Sequence, residues 1–369
     1  MKRFVYACLI SLALLSACAP QNNPPAVPSE QSIPTNPNSP SITLTDALGR
    51  KVTLPNPPKR IVITGKALIM VVDAVYMFPE APSRITALGN AGQGTSNFIS
   101  LIDPSYALKA TLQQDAGAEQ IAAARPDLVI LKSYLAETLG KSLETLKIPI
   151  VYVDFETPEQ YERDLAILGK VFQNEALARQ IAAYYQNKVT EIQTALKGVN
   201  DKPRVLMLYY NDKDGAVAFN VPPMAWMQTQ IVQMAGGEPA WSSANPSNGW
   251  TKVTLEQIAA WDADQIFIIS YNKNPSEVVV GLKTDPQWQA LRATQQNHLY
   301  AFPGDLYSWD QPDARWILGL SWLAIRLHPD RFTQFDMVQE AQQFYQTLYG
   351  LDAQFFESKI HPTFKGDLP

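Results

Sequence analysis

The chain has 369 residues, 30 Lys and Arg against 35 Asp and Glu, and a formal charge of −5. That length admits two domains, and the acidic balance argues against nucleic acid as a partner. Charged residues make up only 18% and aromatic residues 10%, so large apolar cores can form with some rings left over for a ligand.

Lys2 and Arg3 precede a short apolar run, Phe4 to Leu15, that ends in Leu15-Ser16-Ala17-Cys18. The run falls short of the roughly 20 residues a membrane-spanning helix needs, so residues 1–17 read as an export signal. Leu-Ser-Ala-Cys resembles a bacterial lipobox, cleaved before a cysteine that carries a diacylglycerol. Ordinary cleavage near Ala17 or Ala19 explains neither the cysteine nor the tail behind it. Two or more acyl chains on Cys18 would make a stable anchor. Cys8 falls in the discarded segment, so the exported protein has no second thiol and no internal disulfide. Ala19 to Pro40 holds seven prolines among Asn, Ser and Gln. With the lipidated Cys18 it forms a disordered or polyproline-like tether over 18–40.

Ile42 to Leu54 alternates as a hairpin with its turn at Asp46 to Arg50, and the first core strand is Arg60 to Thr64, followed by an apolar helix to about Met77. A strand at Ile85 to Leu88, the loop Gly89 to Gly92, and strands at Leu128 to Leu131 and Ile150 to Val153 complete a lobe over 41–157. Residues 158–202 are helical, with a rod of roughly 20 residues after Asn174 that could reach about 30 Å. Arg204 to Tyr210 opens a second lobe over 203–369. Ala216 to Asn220, a helix Pro223 to Ala235 and a strand His298 to Phe302 follow, with helices at Ala314 to Leu327 and Met337 to Tyr349.

The two lobes share a repeat. Glu119 to Tyr134 (EQIAAARPDLVILKSY) aligns without a gap to Glu256 to Tyr271 (EQIAAWDADQIFIISY) at an offset of 256 − 119 = 137 positions. Each copy runs from a glutamate-led helix through an aspartate into a buried strand that ends on Ser-Tyr. The period is too long for a solenoid. Strands alternating with helices imply an α/β fold of two mainly parallel-sheet lobes joined by one long helix.

These segments resemble the class III solute-binding proteins of bacterial ABC importers. The resemblance rests on TDALGRKVTLPNPPKRIV, GAEQIAAARPDLVI, GWTKVTLEQIAAWDADQIFI and WDQPDARWILGLSWLAIRLHPDRF, in that order. It implies two lobes closing modestly on a small molecule, a monomer delivering its cargo to an ABC permease and through it to ATPase subunits, and no catalysis. It also implies that Glu119 and Glu256 meet permease arginines. Both glutamates would also suit a helix start, but capping does not require the repeat of Gln-Ile behind them.

Ligands of open parallel sheets gather outside the carboxyl ends of the strands. The strand exits offer Lys66, Asn90, Lys132 and Tyr134 in the first lobe, and Tyr210, Asn211, Trp250, Tyr271, Asn272, Tyr307 and Trp309 in the second. Aromatic walls suit an organic metal chelate, such as iron-siderophore, haem or a corrinoid; Lys66 and Asn90 would suit an oxyanion such as molybdate or tungstate. The family's haem binders suggest a tyrosine phenolate on iron. A bare metal ion is disfavoured, because His298, His328 and His361 are not spaced as ligand pairs and Asp154 and Glu156 read as helix-starting acids. No resident cofactor is expected. The competing class is an exported hydrolase. Ser270-Tyr271-Asn272-Lys273 matches S-x-x-K without its companion motifs, and no G-x-S-x-G, H-E-x-x-H or P-loop occurs. A lipid-anchored sensing module on the same fold is a further alternative.

Overall fold

The computed structural model describes residues 41–93, 96–244 and 249–368, apart from the side chain of Asp214. The export signal, Cys18 and the tether lie outside the described residues. The chain opens with an antiparallel hairpin, β1 (Ile42–Thr45) and β2 (Lys51–Leu54). Asp46 closes its turn by accepting from the Leu48 and Arg50 amides (3.1 and 3.0 Å) and pairing with the Arg50 guanidinium.

The first sheet follows. β3 (Ile61–Ile63), α1 (Ile69–Val75), β4 (Ile85–Gly89), β5 (Ala110–Leu112), α2 (Ala118–Ala123), β6 (Leu128–Lys132) and β7 (Ile150–Val153) alternate along the chain. The strand order is β5-β4-β3-β6-β7, with every pairing parallel. Every residue of β3, β6 and β7 is buried, as expected of strands covered on both faces. The short edge strand β5 escapes the sequence pattern because its residues are mostly exposed.

Two helices connect this sheet to the next. α3 (Pro158–Phe172) starts on Thr157, whose hydroxyl accepts from the Gln160 amide, and stops at Gln173 in the left-handed region. α4 (Glu175–Ala195), of 21 residues, starts on an Asn174 cap. The pair packs closely because Gly169 faces Ala178: a Cβ at 169 would lie 2.6 Å from the Ala178 Cβ.

β8 (Arg204–Asn211), β9 (Ala218–Val221), α5 (Met227–Met234), β10 (Glu238–Pro239), β11 (Thr251–Val253), α6 (Leu255–Trp261), β12 (Gln265–Ile269) and β13 (Leu299–Ala301) build the second sheet. Its path is β11-β9-β8-β12-β13, with β10 on β8. The pairings of β8 with β10 and β12, and of β12 with β13, are parallel, whereas β9 pairs antiparallel with β8 and β11. α7 (Trp316–Leu327) and α8 (Met337–Tyr349) close the chain's helical layer.

The repeat is physical. Arg60 donates its amide to Asp127 (2.9 Å) and its guanidinium to the Ala124 carbonyl (2.6 Å). Arg204 does the same to Asp264 (2.7 Å) and the Trp261 carbonyl (3.0 Å). In each lobe an arginine at the start of the first strand clasps the end of the repeat's helix and the aspartate leading into its strand.

Candidate functional site: the carboxyl ends of the two sheets

In both sheets the strand order reverses at one place. Successive connections after β3 run one way to β4 and β5 and the other to β6 and β7; those after β8 run to β9 and β11 or to β12 and β13. The crevice at such a switch point is where open α/β sheets bind ligands. Lys66 follows β3 and Tyr134 follows β6, so both stand at the first switch point. The exposed Tyr134 donates its hydroxyl to the Lys66 carbonyl (3.2 Å). Tyr210 is the penultimate residue of β8 and Tyr271 follows β12, at the second switch point. The Ser-Tyr pair of each repeat copy thus occupies the equivalent place in its lobe.

The second switch point carries an aromatic wall. The Tyr209 ring lies 4.7 Å from Tyr271 and 5.1 Å from Trp250, and Trp226 meets Trp250 edge-on at 5.7 Å. Tyr271, Trp250 and Trp226 are half-buried. Such contacts contribute about 0.5–1.5 kcal/mol per pair beyond area burial and hold the rings in place. Tyr209 and Trp226 are absent from the sequence candidates. The Tyr-Tyr doublet at the end of β8 could have signalled the first; nothing local signalled the second. Tyr210 turns to the other side of its strand, against Phe219 (5.8 Å) and under Lys273.

Behind the wall, the wholly buried Asp310 accepts from the Tyr271 hydroxyl (2.8 Å), the Ser308 hydroxyl (2.5 Å) and the Gln228 amide (3.3 Å). Burial first, and then Asp310, holds the Tyr271 phenol well above its ordinary range. Burial and Glu156 raise Tyr134 as well. Both shifts oppose the phenolate–iron bond suggested by the haem binders.

The two carboxyl edges meet through the loops after β4 and β13. Tyr307 donates its hydroxyl to the Ala91 carbonyl (2.9 Å) and accepts from the Phe98 amide (2.9 Å), while Gln311 and Gln93 exchange amide hydrogen bonds at 3.1 and 3.3 Å. Asn90, exposed on the same loop, accepts from the Gly92 amide.

Four sequence candidates need correction. Tyr307 and Trp309 are fully buried. Tyr307 spends its hydroxyl on the junction, and Trp309 donates its indole N–H to Asp305 (3.0 Å), so both belong to the core and not to an open wall. Lys132 is only 2% exposed, and its ammonium is ion-paired with Glu156, which removes its free charge. Asn211 accepts from the Lys213 amide and shapes its own turn. Asp154 accepts from Ser133 and pairs with Arg163 (2.6 Å). Among the described residues, no group of three His, Cys, Asp or Glu could hold a metal.

The S-x-x-K match dissolves in space. Ser270 is buried and its hydroxyl accepts from the Lys273 amide, while the Lys273 ammonium binds Asp212 at 2.5 Å. A groove of about 230 Å³ between α3 and α4, floored by Trp316, is lined by none of the candidates.

Glu119 and Glu256 are both exposed, in the first turns of α2 and α6. The glutamine behind each has a capping cause, contrary to expectation. Gln120 accepts from the Gly117 amide (3.1 Å) and Gln257 from the Thr254 amide (2.9 Å).

A family model described as a periplasmic binding protein matches residues 92–306. The chain belongs to that family, the class III solute-binding proteins of ABC importers. It is 23% identical over 333 residues to the molybdate-binding protein MolA of Haemophilus influenzae, covering 83% of this chain and 90% of the relative. To the achromobactin-binding periplasmic protein of Dickeya dadantii it is 23% identical over 201 residues, 53% of this chain and 64% of the relative. Its fold matches a periplasmic solute-binding protein from Veillonella parvula with a TM-score of 0.69 at 23% identity, over 87% of this chain and 97% of the other. The family is one of extracytoplasmic binding proteins and not of enzymes. Among the described residues, no helix is long and apolar enough to cross a membrane.

Proposed function

We propose that this protein, a monomer held to the membrane by lipid on Cys18, captures an anionic metal chelate between its two lobes and delivers it to an ABC permease. The classes that fit are iron-siderophore, haem and corrinoid complexes. One observation carries the reading: Tyr209, Trp226, Trp250 and Tyr271 form an aromatic wall at the second switch point, while the exposed Lys66 stands at the first. Rings supply broad contact area for an organic ligand, and the ammonium complements its negative charge. The segments 41–157 and 203–369 are the jaws, and 158–202 joins them. Docking on the permease uses Glu119 and Glu256.

An oxyanion is the second reading. It is favoured by the molybdate-binding relative, which this chain matches over 90% of its length, and by Lys66 and Asn90 at backbone-rich loops.

Protein purified from its native host should carry its ligand into native mass spectrometry and absorption spectroscopy. A haem, corrinoid or ferric charge-transfer band is the expected result. A colourless protein with bound molybdenum or tungsten would establish the oxyanion reading instead.

A further inference from the structure

Tyr271 is the ring at which the aromatic wall, the buried polar layer and the lobe junction meet. Its hydroxyl points inward, to a carboxylate with no solvent exposure, while the residue as a whole remains half-buried. The Asp310 carboxylate is acceptor-only when ionised and here gathers three donors, from Tyr271, Ser308 and Gln228. Gln311, the next residue, bonds across to Gln93 in the first lobe. The segment that fixes Tyr271 is therefore itself fixed by the other lobe.

We propose that Asp310 is a positioning residue that ties the Tyr271 hydroxyl inward and so presents the ring, not the phenol oxygen, to the ligand. The inference rests on the chelate reading above and narrows it. A Tyr271 held this way offers neither a metal ligand nor a donor to an oxyanion. It offers a π surface, backed by Tyr209 and flanked by Trp250. The solute it suits is a coordinatively saturated complex with a flat unsaturated face, such as a catecholate chelate or a planar macrocycle, over a chelate with aliphatic arms.

The test titrates the purified full chain with a ferric tris-catecholate complex, a ferric tris-hydroxamate complex and molybdate, following tryptophan fluorescence. The wild type is expected to bind the catecholate complex tightest. Asp310→Ala and Tyr271→Phe should each weaken catecholate binding about tenfold, or roughly 1.4 kcal/mol, because either change releases the ring. The double variant should be no weaker than the worse single variant, since both act through one bond. A merely structural effect would lower affinity for every probe alike; positioning removes the preference for the catecholate over the hydroxamate. Additive losses in the double variant would overturn the proposal, as would Tyr271→Phe binding like the wild type. The latter variant keeps the core filled, so it decides the matter even if Asp310→Ala does not fold. Failure of the wild type to bind either chelate, or haem and a corrinoid titrated in the same way, would remove the chelate reading itself, whereas normal chelate binding by Asp310→Ala would remove the positioning role alone.

Discussion

Trp309 is held by two contacts that sequence spacing does not encode. Its indole N–H reaches Asp305, and its carbonyl lies against α7 at Gly319, where a Cβ would stand 2.1 Å from the Trp309 oxygen. A tryptophan just past a strand looks like a ligand contact until the glycine ten residues on is seen to make room for the backbone behind it. Tyr307 misleads in the same way, because its partners, Ala91 and Phe98, are more than 200 residues distant. By contrast the positions of Tyr134 and Tyr271 were legible: both follow a buried strand in a repeat, and the strand order then places each at its sheet's switch point. The glycine gives a sharp test. Gly319→Ala forces α7 away from a backbone atom that has little freedom to yield. It should destabilise the protein by about 1–3 kcal/mol, seen as a lower midpoint in urea unfolding, and an unchanged midpoint would mean that the helix shifts without cost.

At the scale of elements, most of the α/β alternation could be read because buried parallel strands are continuous apolar runs and the helices carry their own caps. β5 and β11 could not, being three residues each with mostly exposed or half-buried side chains. The repeated helices α2 and α6 show where pattern and cause separate. The glutamine and the isoleucine are explained locally, one by capping and the other by burial at Ile121 and Ile258. The glutamates have no such local duty in common. Glu256 is held somewhat below the usual carboxylate range by its own backbone amide and Thr254, whereas Glu119 sits behind Gly117, which has no side chain to offer. Their shared exposure in matching places fits recognition by a partner that reads both lobes together, with charge orienting the encounter. Combining Glu119→Arg with Glu256→Arg should therefore abolish ligand uptake in cells while leaving solution affinity for the ligand unchanged. An unimpaired uptake rate would show that docking lies elsewhere.

At the scale of the whole molecule, a buried guanidinium joins the lobes beside the Tyr307 and Gln311 hydrogen bonds. Arg315, with no solvent exposure, binds Asp73 of the first lobe at 2.6 Å, Asp313 at 3.0 Å and Asp305 at 2.9 Å. Phe98 and Tyr307 rings lie 4.6 and 4.9 Å from it, Tyr345 donates to Asp305, and Tyr349 donates to the Asp73 carbonyl. Three carboxyls face one cation in a dry site, so the cluster is neutral only when two of them hold protons. Burial, outweighing the pull of Arg315, pushes Asp73 up to about 6 and Asp313 up to about 8. Groups raised in this way bind protons more tightly in the folded chain than in the unfolded one, where both would titrate near 3.8. Their contribution is therefore fully present in acid and is lost as pH rises, first through about 6 and then through about 8. The half-buried His328, whose pKa is lowered by partial desolvation, works in the opposite sense, so the comparison must be made against a variant. Asp313→Asn copies the protonated carboxyl without its titration. Between pH 6 and 9 the wild type should lose stability to urea, and Asp313→Asn should lose distinctly less over the same range. Parallel curves for the two proteins would show that Asp313 keeps one charge state throughout and that the guanidinium cluster between the lobes does not respond to pH.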